Sequence, residues 1–433
     1  MIATAVLRSE HRRRYMAEIS AMAPKLAGTL GTSGVSAALG MVSGTIAARV
    51  LGPGSRGDLA MLLLWPQLIV TVGVLGVELA ATYYSADERR RGRVPATALT
   101  IAAVQAAVMV PLYLAIVPFL YRTTDLMGEA VIMAALIPLY LLGAMCIDCL
   151  AGTLRFGAFN AVRITLPVLY SGAVVLLAVA GSLTPSTGAY VYLGAHAAGD
   201  VLALALVWRL QGIGRFDARL AKDMIGFGLR AHFGRMIPQS LGMDAAVIAL
   251  ALPARELGMY VAASAFLAAP ALVASSVGMV IFPQVSATHQ AGGRPRLQAT
   301  FAVYVLTVSA LSAMLFIAAP QIIELFFGAR YADAAPALRL LSIASVMLAL
   351  RSFPVEVLRG VGRPGLTTLA EVANWVLFVA LVPAGAALGG LAGTAAAVTL
   401  ASTLSLGVLV AIIARAGLLG AARGQVVLPA EVV

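Results

Sequence analysis

Residues 97–121 read TALTIAAVQAAVMVPLYLAIVPFLY, an apolar run without a single Asp, Glu, Lys or Arg. As a helix it is roughly 38 Å long, enough to cross a hydrocarbon core of about 30 Å. In lipid every backbone amide and carbonyl must find its partner within the segment, so a run of this kind is helical. Comparable runs recur near 26–48, 59–84, 131–153, 164–182, 189–208, 231–252, 259–283, 299–319, 334–356, 367–387 and 390–414. Charged residues are only 11% of the 433 and hydrophobic ones 61%, whereas a soluble domain carries about 25% charged residues. The expected fold is an all-α polytopic membrane protein with about 12 transmembrane helices.

Charge placement orients these spans, because basic residues near span ends stay in the cytoplasm. With a cytoplasmic amino terminus, 22 of the 30 Lys and Arg fall in inside segments and 6 outside; Arg235 and Arg351 lie within spans. An even span number then places both termini in the cytoplasm. The basicity (pI about 10.1) is expected to serve topology and anionic membrane lipids, with no need for nucleic acid as a partner. The basic start precedes the first span without a small-residue cleavage site, which predicts an uncleaved signal anchor. Ser9–Lys25 and Phe216–Phe227 carry apolar residues at helical spacing beside Arg and Lys, and read as helices lying in the interface.

The two halves repeat. Leu51-Gly-Pro-Gly-Ser-Arg-Gly57 precedes span two and Leu252-Pro-Ala-Arg-Glu-Leu-Gly258 precedes span eight, an offset of 201 between Gly57 and Gly258. Gly76 and Gly278 are 202 apart, Arg93 and Arg294 are 201 apart, and Leu154-Arg155 and Leu358-Arg359 are 204 apart. A nearly constant offset argues duplication of a six-helix unit. Six is even, so the copies point the same way, the parallel-repeat arrangement of transporters. The expected organisation is a cytoplasmic basic amphipathic segment at 1–25, an N-terminal six-helix bundle at 26–208 and a basic linker helix at 209–230. A C-terminal six-helix bundle at 231–414 and a cytoplasmic tail at 415–433 complete it, the two bundles being pseudo-symmetric.

Several motifs resemble the bacterial polysaccharide-biosynthesis, or O-antigen-type, flippases of the multidrug/oligosaccharidyl-lipid/polysaccharide (MATE-like) exporter superfamily. They are Val50–Leu59 leading into Pro66-Gln67, and Glu256-Leu257-Gly258-Met259-Tyr260. Ile323–Gly328 with Tyr331, and Leu358–Pro364, complete the set. The resemblance implies two bundles around a cavity, a place in the bacterial cytoplasmic membrane, and a polyprenyl-diphosphate-linked oligosaccharide as substrate. It also implies inner-to-outer translocation by alternating access, and glycosyltransferases or a polysaccharide polymerase as partners. No enzymatic activity and no cofactor are expected. The cation-exporting multidrug members commonly use a carboxylate in the first span, which this chain lacks there.

Ionisable groups inside spans are costly and by default functional candidates. Span seven carries Arg235 and Gln239 on one face and Asp244 on another, with Pro238 between them. Arg235 either binds a diphosphate or snorkels to the cytoplasmic headgroups. Arg351 in span ten has the planar donor fork that suits phosphate; its alternative is a pair with Glu356 or Glu371. Arg163 sits near the expected cytoplasmic mouth. Span two sets Gln67, Thr71, Glu78 and Thr82 along one expected stripe, either facing sugar and protons or bonding neighbouring helices. Glu371, Asn374 and Trp375 on span eleven can meet sugar hydroxyls and a pyranose face, although a Trp near the interface also serves as an anchor. Asp148, His196, Asp200 and Asp244 are further polar groups, and Asp148, Asp200 and Asp244 are the candidates for coupling; bundle-internal hydrogen bonding is the alternative. Cys146 and Cys149 form a C-x-x-C within an apolar span, without the context of a redox or metal site. No phosphate-binding loop is present. Two rivals remain, a multidrug or small-solute antiporter with an acidic cavity, and a membrane scaffold for glycan-assembly enzymes.

Overall fold

The structure, a computed structural model, describes residues 2–122, 124–236, 243–290 and 297–416, and among these it contains helices and no strand. The chain divides into two units, one of Met1–Ile46 with Ile69–His232 and the other of Ala47–Leu68 with Phe233–Val433. Residues 47–68 group with the second unit.

The first unit contains most of α1 (Ile2–Gly73), α2 (Val77–Ala86), α3 (Val94–Leu120), α4 (Met127–Met133), α5 (Leu136–Gly152), α6 (Phe156–Val179), α7 (Pro185–Gln211) and the start of α8 (Ala218–Met236). α5 is its hub and packs against α2, α3, α6 and α7. The α7 start shows local sequence logic. Pro185 occupies the first turn, the Thr187 amide donates to Thr184 Oγ1 (3.1 Å), and the Thr184 amide donates to Thr187 Oγ1 (2.8 Å), a reciprocal capping box.

Span two, expected as one helix over 59–84, is broken between α1 and α2. Leu75 and Gly76 adopt φ of 53° and 71°; the freed Gly73 carbonyl accepts from Gln105 Nε2 at 3.2 Å, and the Val74 carbonyl, which also takes the Val77 amide, at 2.9 Å. This is how a membrane helix tolerates a break, since the orphaned backbone groups find side-chain partners. Gly228 of α8 lies against the same corner, where a Cβ would sit 2.7 Å from the Leu75 carbonyl oxygen. The continuous stripe expected from Gln67 to Thr82 is therefore interrupted between Thr71 and Glu78.

The second unit holds α9 (Met243–Ala251), α10 (Ala254–Ala265), α11 (Ala268–Gln290), α12 (Gln298–Ile317), α13 (Ala319–Phe327), α14 (Ala334–Gly360) and α15 (Pro364–Arg415). Its hub is α14, packed against α10, α11, α12, α13 and α15. α15 is two arms, because Gly389 and Gly390 leave helical geometry (φ −150° and 53°) and Gly385 and Gly393 then press backbone to backbone. The arms match the spans expected at 367–387 and 390–414.

The duplication is visible in one contact of this unit. α1 bends at Gly52 (φ 76°), and the corner that follows crosses the corner before α10. A Cβ on Gly57 would collide with the Ala254 carbonyl, and a Cβ on Gly258 with the Pro53 carbonyl. Pro53 and Ala254, like Gly57 and Gly258, are related by the 201-residue offset, so the contact is its own image about a local two-fold. Arg49 Nε donates to the Phe326 carbonyl at 2.8 Å and its Nη2 to Leu325, while Arg330 Nη2 donates to the Arg49 carbonyl. These guanidiniums satisfy helix-end carbonyls that have no partner within their own helix.

Among the described residues, eight helices are long and apolar enough to cross a membrane, or up to nine if Ala254–Ala265 and Ala268–Gly278, bent by 47°, count as one span. Gly31–Gly73 and Gly365–Arg415, of 43 and 51 residues, are bent at Gly52 and at Gly389–Gly390. The most apolar stretches of Met127–Gly152 and Ala334–Gly360 are each 50% buried, against at most 39% for the other candidate spans. The two hubs are thus alike in depth of burial.

Candidate functional site

Three of the residues expected from sequence line one cavity of the second unit. Asp244 in the first turn of α9, and Asn374 and Trp375 on the first arm of α15, face a space of about 340 Å³. That is within the range of small-molecule sites. Tyr260 and Ser264 of α10, Ser345 of α14, and Phe378 and Ser402 of α15 complete its polar and aromatic wall. The amide of Ala245 donates to the Asp244 carboxylate. Asp244 is the only ionisable acid or base, phenols aside, among the described lining residues. Such a site offers ring faces, an amide and hydroxyls to a ligand.

Arg351 and Glu371 meet elsewhere. Arg351 Nη2 lies 2.8 Å from Glu371 Oε1, with side chains 8% and 7% exposed. The ion pair is close but lies off the hydrogen-bonding line, and Arg351 Nε has no hydrogen-bond partner among the described residues. Arg359 Nη1 donates to Glu356 Oε1 at 2.6 Å one turn along. These four charges cancel in pairs. Neither Arg351 nor Glu371 lines the cavity around Asp244.

Arg163 on α6 has a different environment. Its Nη2 donates to Ser33 Oγ at 3.2 Å and its guanidinium lies 5.2 Å from the centre of the Phe159 ring. One turn earlier Asn160 Nδ2 donates to Thr29 Oγ1 at 3.4 Å. No carboxylate lies within ion-pair distance of Arg163 among the described residues. It is half-buried, with donor capacity left over.

The remaining candidates are dispersed. Asp148 of α5 accepts from Thr82 Oγ1 of α2 at 3.1 Å, which is helix-to-helix bonding. Glu78 lies in the first turn of α2, just after the break, and Gln67 is exposed on α1. Asp200 of α7 is 4% exposed, and its Oδ2 lies 3.3 Å from His196 Nδ1. The backbone of Arg235 belongs to α8, while its side chain, and all of Gln239, lie outside the described residues. Cys146 and Cys149 are free and buried in α5.

Sequence reasoning missed Tyr260 beside Asp244, and Tyr140 and Tyr192 around His196. Tyr192, His196 and Asp200 recur every four residues, a one-face signal that would have grouped them.

Residues 27–289 match the polysaccharide biosynthesis protein family. The chain belongs to that family. In fold it is similar to an inward-facing multidrug resistance MATE family transporter of the MOP superfamily (TM-score 0.72, 12% identity, 88% of this chain and 94% of that one). It is also similar to the lipid II flippase MurJ in an inward closed conformation (TM-score 0.70, 13% identity, 89% and 87%). Among curated proteins it is 29% identical over 118 residues to the uncharacterized membrane protein MJ1068 of Methanocaldococcus jannaschii, covering 25% of this chain and 23% of that protein. The chain therefore spans about a quarter of the length of this curated relative. The fold is that of a multi-pass, all-α membrane protein of the MATE-like kind.

Proposed function

We propose that this protein flips a phosphate-bearing, lipid-linked oligosaccharide from the inner to the outer leaflet of the bacterial cytoplasmic membrane by alternating access, for cell-surface polysaccharide assembly. Glycosyltransferases would supply the substrate and a polymerase would consume it. Family membership and the MurJ-like fold support the class of cargo. The observation that carries the chemistry is the Arg163 guanidinium, held by a hydroxyl and a ring face and, among the described residues, by no carboxylate. A guanidinium of this kind can give two parallel donors to a diphosphate. Arg351, by contrast, is already neutralised by Glu371. In the second unit Trp375, Tyr260 and Asn374 offer ring faces and an amide suited to a pyranose.

The test is reconstitution in liposomes with a labelled polyprenyl-diphosphate sugar, scoring its arrival in the opposite leaflet. Arg163→Gln should slow arrival while leaving the protein folded. Unchanged rates in that variant would exclude Arg163 from capture, and no transfer by the native protein would exclude the cargo.

A second reading has one observation in its favour. The cavity around Asp244 has one carboxylate, aromatic walls and no cation among its described lining residues, which suits a small organic cation. It predicts drug sensitivity on deletion, with Asp244→Asn reproducing it and Arg163→Gln not.

A further inference from the structure

The mechanism above leaves one buried titratable cluster unused. Asp200 and His196 lie on one face of α7 with Oδ2 and Nδ1 3.3 Å apart and side chains 6% and 14% exposed. His196 follows Pro185 by eleven residues and Asp200 precedes Gln211 by eleven, so each is roughly 17 Å from its end of the helix. The pair therefore sits at mid-depth, the costliest place for net charge.

The surroundings are shaped to hold it. On α5, Gly143 leaves the slot that Asp200 Oδ1 fills, since a Cβ at 143 would collide with that oxygen. Tyr140 of α5 presents its ring edge-on to His196, with centroids 4.5 Å apart. Its hydroxyl donates to the Tyr192 hydroxyl at 3.2 Å, and Tyr192 stacks edge-to-face with Tyr170 of α6 at 5.1 Å. Cys146 of α5 is the remaining titratable neighbour of Asp200. On α4 the nearest acid, Glu129, is held at the far end of α7 by Ser186. No Lys or Arg forms an ion pair with Asp200 among the described residues.

The charge arithmetic follows. With one proton shared between Asp200 Oδ2 and His196 Nδ1, the pair is neutral, either as carboxylate and imidazolium or as carboxylic acid and imidazole. Without that proton it carries one uncompensated negative charge, and with a second proton one positive charge. A low-dielectric, lipid-surrounded site penalises both. The cluster is thus a one-proton site, built from the residue whose ordinary titration lies nearest neutrality. The Tyr140–Tyr192 hydroxyl pair extends it toward the amino-terminal end of α7, the expected outer end.

We infer that His196 and Asp200 form the proton-loading site that couples transport, taking one proton from the outer face and releasing it inside as the substrate headgroup moves outward. This deepens the flippase reading and rests on it for the identity of the cargo.

The experiment uses the full chain in liposomes, with two readouts. In the first, labelled polyprenyl-diphosphate sugar is followed under an imposed pH gradient, acid on the side of the outer face. One-for-one exchange predicts that each pH unit shifts the steady-state leaflet ratio about tenfold. Asp200→Asn and His196→Gln should bring that ratio to the value seen without a gradient, while gradient-free equilibration continues; Tyr140→Phe should keep the ratio and slow its approach. A gradient response surviving in Asp200→Asn, or a native protein that moves sugar without regard to the gradient, overturns the coupling.

The second readout needs no cargo. Infrared difference spectra recorded over a wide pH range should show imidazole and carboxyl bands changing together. Asp200→Asn should remove the carboxyl band and shift the imidazole band, and His196→Gln should remove the imidazole band and displace the carboxyl band. Identical spectra in native protein and Asp200→Asn overturn the site. If the native protein moves no sugar, the cargo is wrong and the spectra alone decide whether the site binds its proton.

Discussion

α5 and α14 occupy equivalent places in the two repeats, each the hub of its unit and each half buried along its most apolar stretch. What they bury is different. Against α14, a permanently charged guanidinium, Arg351, is answered by Glu371 from α15 at 2.8 Å. Against α5, Asp200 from α7 fills the slot at Gly143 and, among the described residues, is answered only by an imidazole. One copy of the duplicated fold holds a guanidinium and a carboxylate whose charges cancel, and the other holds a pair whose net charge depends on one proton. A duplicated scaffold can in this way divide labour, with a static clamp in one unit and a titratable site in the other.

The sharpest way to break the comparison is to unbalance the clamp. Glu371→Gln leaves Arg351 buried without its counter-charge and should destabilise the protein by about 3–5 kcal/mol, seen as a fall in the detergent-solubilised melting temperature. Replacing the pair together, Arg351→Met with Glu371→Leu, should recover most of that loss, because two well-packed apolar side chains cost less than one unpaired charge. A single variant as stable as the native protein would show that the pair does not clamp α14 to α15.

Next in size is the crossing of the two corners. Gly57 and Gly258 meet carbonyls of repeat-related residues with no space for a Cβ, so Gly57→Ala and Gly258→Ala should each cost roughly 1–3 kcal/mol. Because the contact is its own image, the two losses should be nearly equal, and thermal unfolding of both variants checks this. A large loss in one and none in the other would mean that the halves do not share the contact evenly.

Much of this arrangement was legible in the sequence, and the failures have physical causes. Long apolar runs and the sorting of Arg to one side declared the membrane class, since lipid leaves few alternatives to helices. The 201-residue offset was readable because Gly57 and Gly258 are constrained by one shared contact. The break at Leu75–Gly76 was invisible, because its compensating donor, Gln105, comes from another helix. Grouping Asp244 with Asn374 and Trp375 also needed the fold, which brings α9 and α15 to one cavity. For Arg351 the two alternatives could be named, phosphate or Glu371, but choosing between them required knowing that α14 and α15 pack together.

Arg163 sharpens the comparison from the functional side with a smaller effect. Among the described residues its guanidinium has no carboxylate to lose, so Arg163→Gln should cost clearly less stability than Glu371→Gln. Transfer of the labelled lipid-linked sugar should nevertheless slow about tenfold, the loss expected for one charge-assisted phosphate contact of roughly 1.4 kcal/mol. Arg163→Lys should restore part of the rate, since it keeps the charge without the fork. A stability loss comparable to that of Glu371→Gln would class Arg163 with the clamp instead.

The smallest effect is expected where the two copies are joined, at the start of α8. Asp217 Oδ1 accepts from the Leu220 amide at 3.1 Å and the Arg219 amide at 3.0 Å, and Arg93 Nη1 donates to Oδ2 at 2.9 Å. The Leu220 amide foremost, with the Arg93 guanidinium next, holds this carboxyl below its ordinary value of 3.8. A carboxyl whose folded value is depressed contributes its stabilisation above the ordinary value and loses it as the pH falls through the folded one. Helix capping by Asp217 should therefore be complete at neutral pH and fade only below about pH 4. Hydrogen exchange at the Arg219 and Leu220 amides, taken relative to the intrinsic rate at each pH, reads this locally as protection that is high near neutrality and lost in acid. Asp217→Asn should flatten that dependence while leaving His196 and Asp200 to titrate as before, because the linker's anchor lies in a different unit of charge from the buried pair. If the acid-dependent loss of protection persisted in Asp217→Asn, the α8 start would owe its order to other contacts, such as Thr97 Oγ1 accepting from the residue 217 amide at 3.2 Å, rather than to its cap.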